Sequence, residues 1–117
     1  MMNYEQIKLL TKMKKLIKLG RRRFALRHDR NYLQDLFDIG IFNEDDAWNI
    51  ILTLNNYCYY HDKKSNYYKD NNCLVFKRKI NNNFVYIKIK IEILNNYEET
   101  VCLSFRKDFK GSGKNDM

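Results

Sequence analysis

The sequence predicts an α+β fold in which N-terminal helices pack on one face of a twisted antiparallel sheet. Apolar residues recur at helical spacing in the first part of the chain, whereas from Tyr57 onward aromatic and β-branched residues gather in short runs. Helices followed by strands are typical of an antiparallel sheet covered on one side by helices. A chain of 117 residues suffices for one modest core. We therefore expect one domain over residues 1–109 and a flexible tail over residues 110–117.

A first amphipathic helix is predicted ahead of Gly20. Its lysines lie mostly away from its apolar face, and Gly20 is expected to end it because glycine readily adopts the left-handed conformation of a C-cap. The next segment, RRRFALR, alternates arginines with Phe24, so we expect a short edge strand whose arginines reach solvent. The apolar face of the helix comprises Ile7, Leu10, Met13 and Ile17.

Two further helices are predicted before the strands begin. One spans residues 31–39 and is stopped by Gly40. The other begins at Asn43, an N-cap residue followed three positions later by Asp46, in a pattern that resembles a capping box. This helix is expected to continue through Leu54, with Ala47, Ile50, Ile51 and Leu54 buried.

Four runs in the second part of the chain are predicted as strands: YCYYH, CLVFKRKI, FVYIKIKIEIL and TVCLSFRKDF. The third is the clearest, because apolar residues alternate with polar or aromatic ones over residues 84–94. The pair Asn81-Asn82 suits a two-residue type I′ turn. That turn places Lys77 opposite Tyr86. Alternation in the last strand directs Val101, Leu103 and Phe105 to the core and Cys102, Ser104 and Arg106 outward.

The chain is basic, with 22 Lys and Arg against 14 Asp and Glu and a formal charge of +8. This balance favours a polyanionic partner such as nucleic acid, an acidic protein or an anionic membrane surface. Apolar residues at the N-terminus are interleaved with lysines, and no run approaches the roughly 18 apolar residues of a membrane span. We therefore expect a cytoplasmic protein. The cysteines, Cys58, Cys73 and Cys102, lack a CxxC pair, so core packing is expected in place of disulfides or zinc.

The outer face of the predicted sheet carries side chains suited to cleavage of RNA by its own 2′-OH. A base takes the 2′-OH proton, a cation stabilises the equatorial phosphate oxygens, and an acid protonates the departing 5′-oxygen. No metal or other cofactor is required. Alternating lysines also keep a sheet face soluble and discourage edge pairing, so the pattern alone leaves both interpretations open. The residues concerned are Lys77, Lys79, Tyr86, Lys88, Lys90 and Arg106.

Two histidines and a group of tyrosines add further candidates. His61 ends the YCYYH run beside the turn HDKKSN, where it can serve as a general base, whereas His28 is more typical of a surface or capping residue. Tyrosines close to this run can stack unpaired RNA bases, although strand alternation sends about half of them to the core. They are Tyr57, Tyr59, Tyr60, Tyr67 and Tyr68.

Four segments resemble, in order and spacing, the MqsR family of bacterial toxins: KKLIKLGRRRFALR, FDIGIFNEDDAWNIILTL, LVFKRKINNNFVYIKIKI and VCLSFRK. The resemblance extends over roughly residues 7–107 and is most specific in VYIKIKI and CLSFR. It implies a RelE-like fold and a ribosome-independent mRNA endonuclease activity. It also implies a partner, the cognate antitoxin that holds such a toxin inactive.

The resemblance assigns roles to individual residues. The sheet tyrosine of the family falls on Tyr86, and its basic residue after the terminal SF falls on Arg106. His61 stands where the family has a lysine, and Cys73 stands at or near a family glutamine. The implied catalytic residues are thus His61, Tyr86 and Arg106. The RNA-binding residues expected from the pattern of the sheet face are Lys77, Lys79, Lys88 and Lys90, and Lys63 or Lys64 can substitute for the lysine of the family.

Two classes of function remain open from the sequence. The first is an endoribonuclease that uses this basic face for catalysis. The second is a non-catalytic binding protein, for example an inhibitor encoded by a mobile element, which grips a nucleic acid or an acidic protein with the same face. The departures at His61 and Cys73 favour the second class. Membrane-surface binding through the first helix is less attractive, because that helix needs its apolar face for the core.

Overall fold

A computed structural model describes residues 1–60 and 72–108 of the chain. The predicted α+β class is confirmed, with helices first and the sheet after them. The helices are α1 (Tyr4–Lys18), α2 (Tyr32–Ile39) and α3 (Glu44–Leu52). The strands are β1 (Arg22–Phe24), β2 (Cys73–Ile80), β3 (Asn83–Leu94) and β4 (Tyr97–Lys107).

Helix α1 begins and ends with side-chain and backbone caps. The Asn3 side chain accepts a hydrogen bond from the Gln6 backbone at 2.8 Å, and the Gln6 side chain accepts one from the Asn3 backbone at 2.9 Å. These reciprocal bonds form a capping box. At the other end Gly20 has φ +82°, and the Arg21 N–H donates to the Leu16 carbonyl at 2.9 Å. This is a Schellman cap, as predicted from Gly20.

Helices α2 and α3 also begin at asparagine caps. Asn31 accepts hydrogen bonds from the first turn of α2, and Gly40, with φ +90°, ends that helix as predicted. Asn43 accepts a hydrogen bond from the Asp46 backbone at 2.8 Å and so caps α3. Helix α3 ends at Leu52, two residues earlier than predicted, although Leu54 is fully buried.

The sheet has the strand order β1-β4-β3-β2. Asn81 and Asn82 both have positive φ, +50° and +66°, as a type I′ turn requires, and the predicted pairing of Lys77 with Tyr86 is confirmed. A second asparagine pair, Asn95-Asn96, makes the equivalent turn between β3 and β4. Two tight turns therefore connect β2, β3 and β4 into one antiparallel meander.

Strand β1 changes the predicted antiparallel sheet into a mixed one. It occupies a sheet edge, as expected, but it runs parallel to β4, with Arg23 opposite Val101 and Phe24 opposite Cys102. The connection between these strands, through α2, α3, β2 and β3, is long enough for the crossover that parallel pairing requires. The Phe24 ring stacks on the Tyr32 ring of α2, with 4.7 Å between their centroids, and its centroid lies 4.9 Å from that of Trp48 in α3. Strand β1 therefore connects both helices to the sheet.

The facing predicted for part of β4 was wrong. A register shift opposite Lys88 and Ile89 leaves Leu103 as an extra residue, so Ser104 pairs with Lys88 while Cys102 pairs with Ile89. A bulge of this kind reverses the side to which upstream residues point. Cys102 is therefore in the core, 2% exposed, and Val101 pairs with Lys90 on the other face. Phe105 and Arg106, downstream of the bulge, face as predicted.

The run YCYYH does not form the predicted strand within the described residues. Asn56–Cys58 form a short 3₁₀ helix, and Tyr59 makes a single antiparallel bridge to Phe76. The Asn55 side chain accepts a hydrogen bond from the Tyr57 backbone at 2.9 Å and caps this turn. Local asparagine capping has here prevailed over the β propensity of the aromatic residues.

The hydrophobic core lies between the helices and one face of the sheet. Inward-facing residues of β3, such as Ile87 and Ile89, are fully buried against side chains of α1 and α3 such as Met13 and Ile51. The Thr100 hydroxyl donates to the Met13 carbonyl at 3.0 Å and joins α1 to β4. No helix in the described part of the chain is long and apolar enough to cross a membrane.

Candidate nucleic-acid interface

The side of the sheet opposite the helices carries the predicted basic residues. Side chains alternate between the two sides of a sheet along each strand. Every second residue of β2 and β3 points to the core, so the residues between them point to this second side. We call this side the lysine face. It comprises Lys77, Lys79, Tyr86, Lys88, Lys90 and Arg106, together with Cys73, Val75, Val101 and Ser104.

A row of three side chains crosses the centre of the lysine face. Tyr86 pairs with Lys77 on β2 and with Arg106 on β4. The guanidinium carbon of Arg106 lies 4.6 Å from the centroid of the Tyr86 ring, and the Lys88 ammonium lies 5.8 Å from it. Tyr86 is only 6% exposed. The face of the ring therefore contacts cations, and the ring has little exposed surface on which an RNA base could stack.

Lys77 contacts a carboxylate and an aromatic ring that the sequence did not connect with it. Its ammonium lies 3.0 Å from an Asp108 carboxylate oxygen and 3.8 Å from the centroid of the Tyr60 ring. Asp108 is 5% exposed, and its N–H donates to the Phe84 carbonyl at 2.8 Å. The buried carboxylate thus offsets one of the predicted RNA-binding charges. Alternation from Arg106 to position 108 was the signal that could have placed Asp108 on this face.

The remaining lysines extend the face in both directions from the central row. Lys79 lies over the Phe84 ring, with its ammonium 5.8 Å from the centroid. Lys90 pairs with Cys73 on one side and with Val101 on the other. Cys73 is half-buried beside that lysine, at the position that the resemblance assigns to a glutamine. The cations consequently follow strand β3 in a line along the face.

A charge cluster ends the line of lysines. Glu92 and Glu99 pair across β3 and β4, and Arg23 of β1 forms ion pairs with both; its Nε lies 2.6 Å from a Glu99 oxygen. The hydrogen bond to Glu99 raises the pKa of the Arg23 guanidinium. Arg23, Glu92 and Glu99 together carry one net negative charge, whereas the stretch from Lys79 to Lys90 is basic. The parallel pairing of β1, which places Arg23 here, was not evident from the sequence.

Several candidates lie elsewhere in the structure or outside the part that it describes. His61, Lys63, Lys64, Tyr67 and Tyr68 fall in residues 61–71, outside the described ranges. His28 is exposed in the connection between β1 and α2. Tyr57 is 94% exposed, whereas the Tyr59 hydroxyl accepts a hydrogen bond from Gln6 at 2.7 Å. Burial raises the pKa of Tyr59.

The cysteines and acidic residues give a chemically simple picture. Cys102 is buried, and desolvation raises the pKa of its thiol. Cys58 and Cys73 are half-buried, and none of the three cysteines forms a disulfide. Within residues 1–60 and 72–108, no three His, Cys, Asp or Glu side chains come together as metal ligands would. The cations of the lysine face, Arg106 and the lysines, are groups that can bind phosphate.

Comparison with models of protein families gave no match to the chain, and none of the curated proteins is significantly similar to it.

Proposed function

We propose that the chain is an endoribonuclease that binds single-stranded RNA along the lysine face and cleaves it, as the toxin of a toxin-antitoxin pair. The observation that carries the proposal is the Arg106 guanidinium stacked on Tyr86, 4.6 Å from the ring centroid, at the centre of a line of lysines. Arginine can bind two phosphate oxygens at once, and the contact with the ring holds this guanidinium in place on the face. The resemblance to the MqsR family supports the same residues.

The reaction requires little beyond positioned charges. The 2′-oxygen of a ribose attacks the adjacent phosphorus as a base removes its proton, and the P–O5′ bond breaks as the departing oxygen takes up a proton. The products are a 2′,3′-cyclic phosphate and a 5′-hydroxyl. Arg106 stabilises the charge on the equatorial oxygens, and Lys88 neutralises the neighbouring phosphate. His61, outside the described residues, is the proposed general base or acid.

Incubation of the purified protein with end-labelled single-stranded RNA tests the cleavage. We expect cleavage in the absence of ribosomes, fragments that end in a cyclic phosphate, and no cleavage at a position substituted with 2′-deoxyribose. Arg106→Ala and His61→Ala should each remove most of the activity, and Tyr86→Phe should reduce it. Lys107→Ala removes a charge from the neighbouring residue of the same strand and should leave the activity intact. Intact RNA after prolonged incubation with folded wild-type protein would rule out the nuclease.

Toxicity and its relief test the cellular part of the proposal. Induced expression should arrest bacterial growth, and Arg106→Ala should relieve the arrest at equal protein level. A small antitoxin encoded in a neighbouring reading frame is the expected partner, and its co-expression should restore growth. Unchanged toxicity in Arg106→Ala and Tyr86→Phe would remove the lysine face from the mechanism.

A second function, non-catalytic binding of a nucleic acid or an acidic protein, is favoured by one observation. The buried Asp108 carboxylate lies 3.0 Å from the Lys77 ammonium and offsets a charge in the central row. Such a face still binds a polyanion through the other cations. Salt-sensitive RNA binding without any cleavage, in a protein whose expression leaves growth unaffected, would favour this function over the first.

A further inference from the structure

A groove on the helical side of the sheet combines an apolar floor with a basic rim. It has a volume of about 640 Å³ and lies between α1 and the start of β4. Helix α1 packs on the core face, as the hydrogen bond from Thr100 to Met13 shows, so the groove opens on the opposite side of the sheet from the lysine face. A ligand in this groove and RNA on the lysine face therefore do not compete for surface.

The floor of the groove consists of apolar side chains that the fold leaves partly uncovered. Leu16 is buried at its base, whereas Ile7 is 46% and Leu19 is 63% exposed. The helical pattern predicted Ile7 on the core-facing side of α1. Apolar side chains therefore lie at both ends of the floor, with Thr11 between them, and Ile7 and Leu19 are about 18 Å apart at the rise of an α-helix.

The rim of the groove is almost entirely cationic. Lys8, Lys12 and Lys15 follow one another along α1, and Arg21 lies on the far side, where its guanidinium carbon is 5.1 Å from the Tyr97 ring centroid. Among the lining residues the acidic one is Glu98, and it already forms an ion pair with Lys12. The rim therefore has a net positive charge.

We propose that this groove binds an acidic amphipathic helix of a protein partner. An apolar floor of about 18 Å accommodates roughly three helical turns, whose apolar anchors recur at every third or fourth residue. The basic rim then faces carboxylates on the flanks of that helix. The phosphates of a nucleic acid would match the rim but would leave the aliphatic floor uncovered, and a flat lipid surface does not fill a concave groove. The proposal does not depend on the proposed nuclease activity.

The test uses a labelled synthetic helical peptide with a leucine stripe flanked by glutamates, and the same peptide with lysines in place of the glutamates. We expect the full-length protein to bind the acidic peptide with micromolar affinity and the basic peptide not at all. Lys15→Glu should weaken binding about tenfold, because it reverses a charge on the rim. Lys18→Glu is the matched control, since Lys18 lies in the same last turn of α1 but outside the groove.

A second pair of variants tests the apolar floor. Leu19→Ser should weaken peptide binding, whereas Leu26→Ser, at an 86% exposed leucine away from the groove, should not. Circular dichroism should show all four variants folded, and RNA binding should be unchanged in Lys15→Glu. The proposal is overturned if the acidic peptide does not bind, if both peptides bind alike, or if Lys15→Glu and Lys18→Glu behave alike. It is also overturned if phosphatidylglycerol vesicles, and not the peptide, bind in a manner sensitive to Lys15→Glu.

Discussion

The Arg106 guanidinium lies over the ring of Tyr86, its cross-strand neighbour, with 4.6 Å between the guanidinium carbon and the ring centroid. This contact holds the guanidinium against the ring face, and Tyr86 is itself almost fully buried. The Arg106 Nη1 also donates a hydrogen bond to the Lys107 carbonyl at 3.3 Å. The function proposed for the lysine face depends on the position of this guanidinium as well as on its charge.

Arg106→Lys should therefore weaken RNA binding even though it keeps the positive charge. We expect about a three- to tenfold loss of affinity for a short single-stranded RNA, since lysine cannot form the paired contact to phosphate. Fluorescence anisotropy at fixed salt measures it. Lys107→Arg, the reciprocal change at the adjacent residue, should bind like wild type. Equal affinity of Arg106→Lys and wild type would mean that charge alone matters at this position.

Asp108→Asn should increase RNA affinity, because it removes the carboxylate that lies 3.0 Å from the Lys77 ammonium. If Lys77 then contacts one more phosphate, the slope of log affinity against log salt becomes steeper by about 0.7. Binding isotherms at several salt concentrations measure this slope. Lys77→Met in the same background should return the slope to the wild-type value. An unchanged slope in Asp108→Asn would show that Lys77 does not reach the RNA.

Lys77→Met alone should destabilise the fold, since it removes the ammonium that lies 3.0 Å from a carboxylate oxygen of Asp108, a residue that is 5% exposed. The expected loss is about 1–3 kcal/mol in the free energy of unfolding. Urea denaturation measures it. The double variant Lys77→Met/Asp108→Asn should recover part of the loss, because the buried carboxylate is then removed together with the ammonium. If the double variant is no more stable than the single one, the ion pair contributes no coupling energy.

The Tyr32 hydroxyl donates to a Glu44 carboxylate oxygen at 2.6 Å, and this bond raises the pKa of Tyr32 to about 12. The neutral phenol is favoured in the folded state, so the stabilisation is fully present below pH 10 and is lost as the pH rises from 10 towards 12. The advantage of wild type over Tyr32→Phe in urea denaturation should therefore shrink between pH 8 and pH 11.5. Glu44→Gln should bring the pKa of Tyr32 down. An advantage that is constant with pH would contradict the assignment.

Gly40→Ala should destabilise the fold more than Gly20→Ala. Both glycines have positive φ, which costs alanine about 1 kcal/mol, but only at Gly40 does the added Cβ meet a neighbour, the Asn81 Nδ2 at 3.1 Å. That nitrogen donates to the Ile39 carbonyl at 3.0 Å, so displacing it costs a further 0.5–1.5 kcal/mol, roughly the value of one hydrogen bond. Thermal unfolding measures the difference. In an Asn81→Gly background the two substitutions should cost the same.

The sequence predicted those parts of the fold that local chemistry determines. Gly20, Gly40, Asn31 and Asn43 marked helix ends because left-handed backbone and side-chain caps are properties of the residue types. The Asn81-Asn82 turn fixed the register of β2 and β3 for the same reason. The parallel pairing of β1 and the ion pair between Lys77 and Asp108 escaped prediction, since both depend on contacts between distant segments.

The facing of β4 escaped prediction for a different reason. Val101, Cys102 and Leu103 form an uninterrupted apolar run, so either alternation satisfies the hydrophobic pattern. Only pairing with β3 reveals the extra residue. For the candidate site, Tyr86, Lys88 and Arg106 were placed correctly on one face, whereas the burial of Tyr86 beneath two cations was not anticipated.

The bulge at Leu103 allows residues of the same parity in β4 to lie on opposite faces of the sheet. Upstream of it the strand contributes Cys102 to the core, and downstream it contributes Arg106 to the lysine face, although these residues are separated by an even number of positions. If Leu103 entered the regular ladder, either Cys102 would leave the core or Arg106 would enter it. Deleting Leu103 would instead place Cys102 and Ser104 next to each other, opposite Ile89 and Lys88, and both halves of the strand would keep their present facing. A homologous chain is therefore expected to lack this residue more readily than to carry it without the bulge.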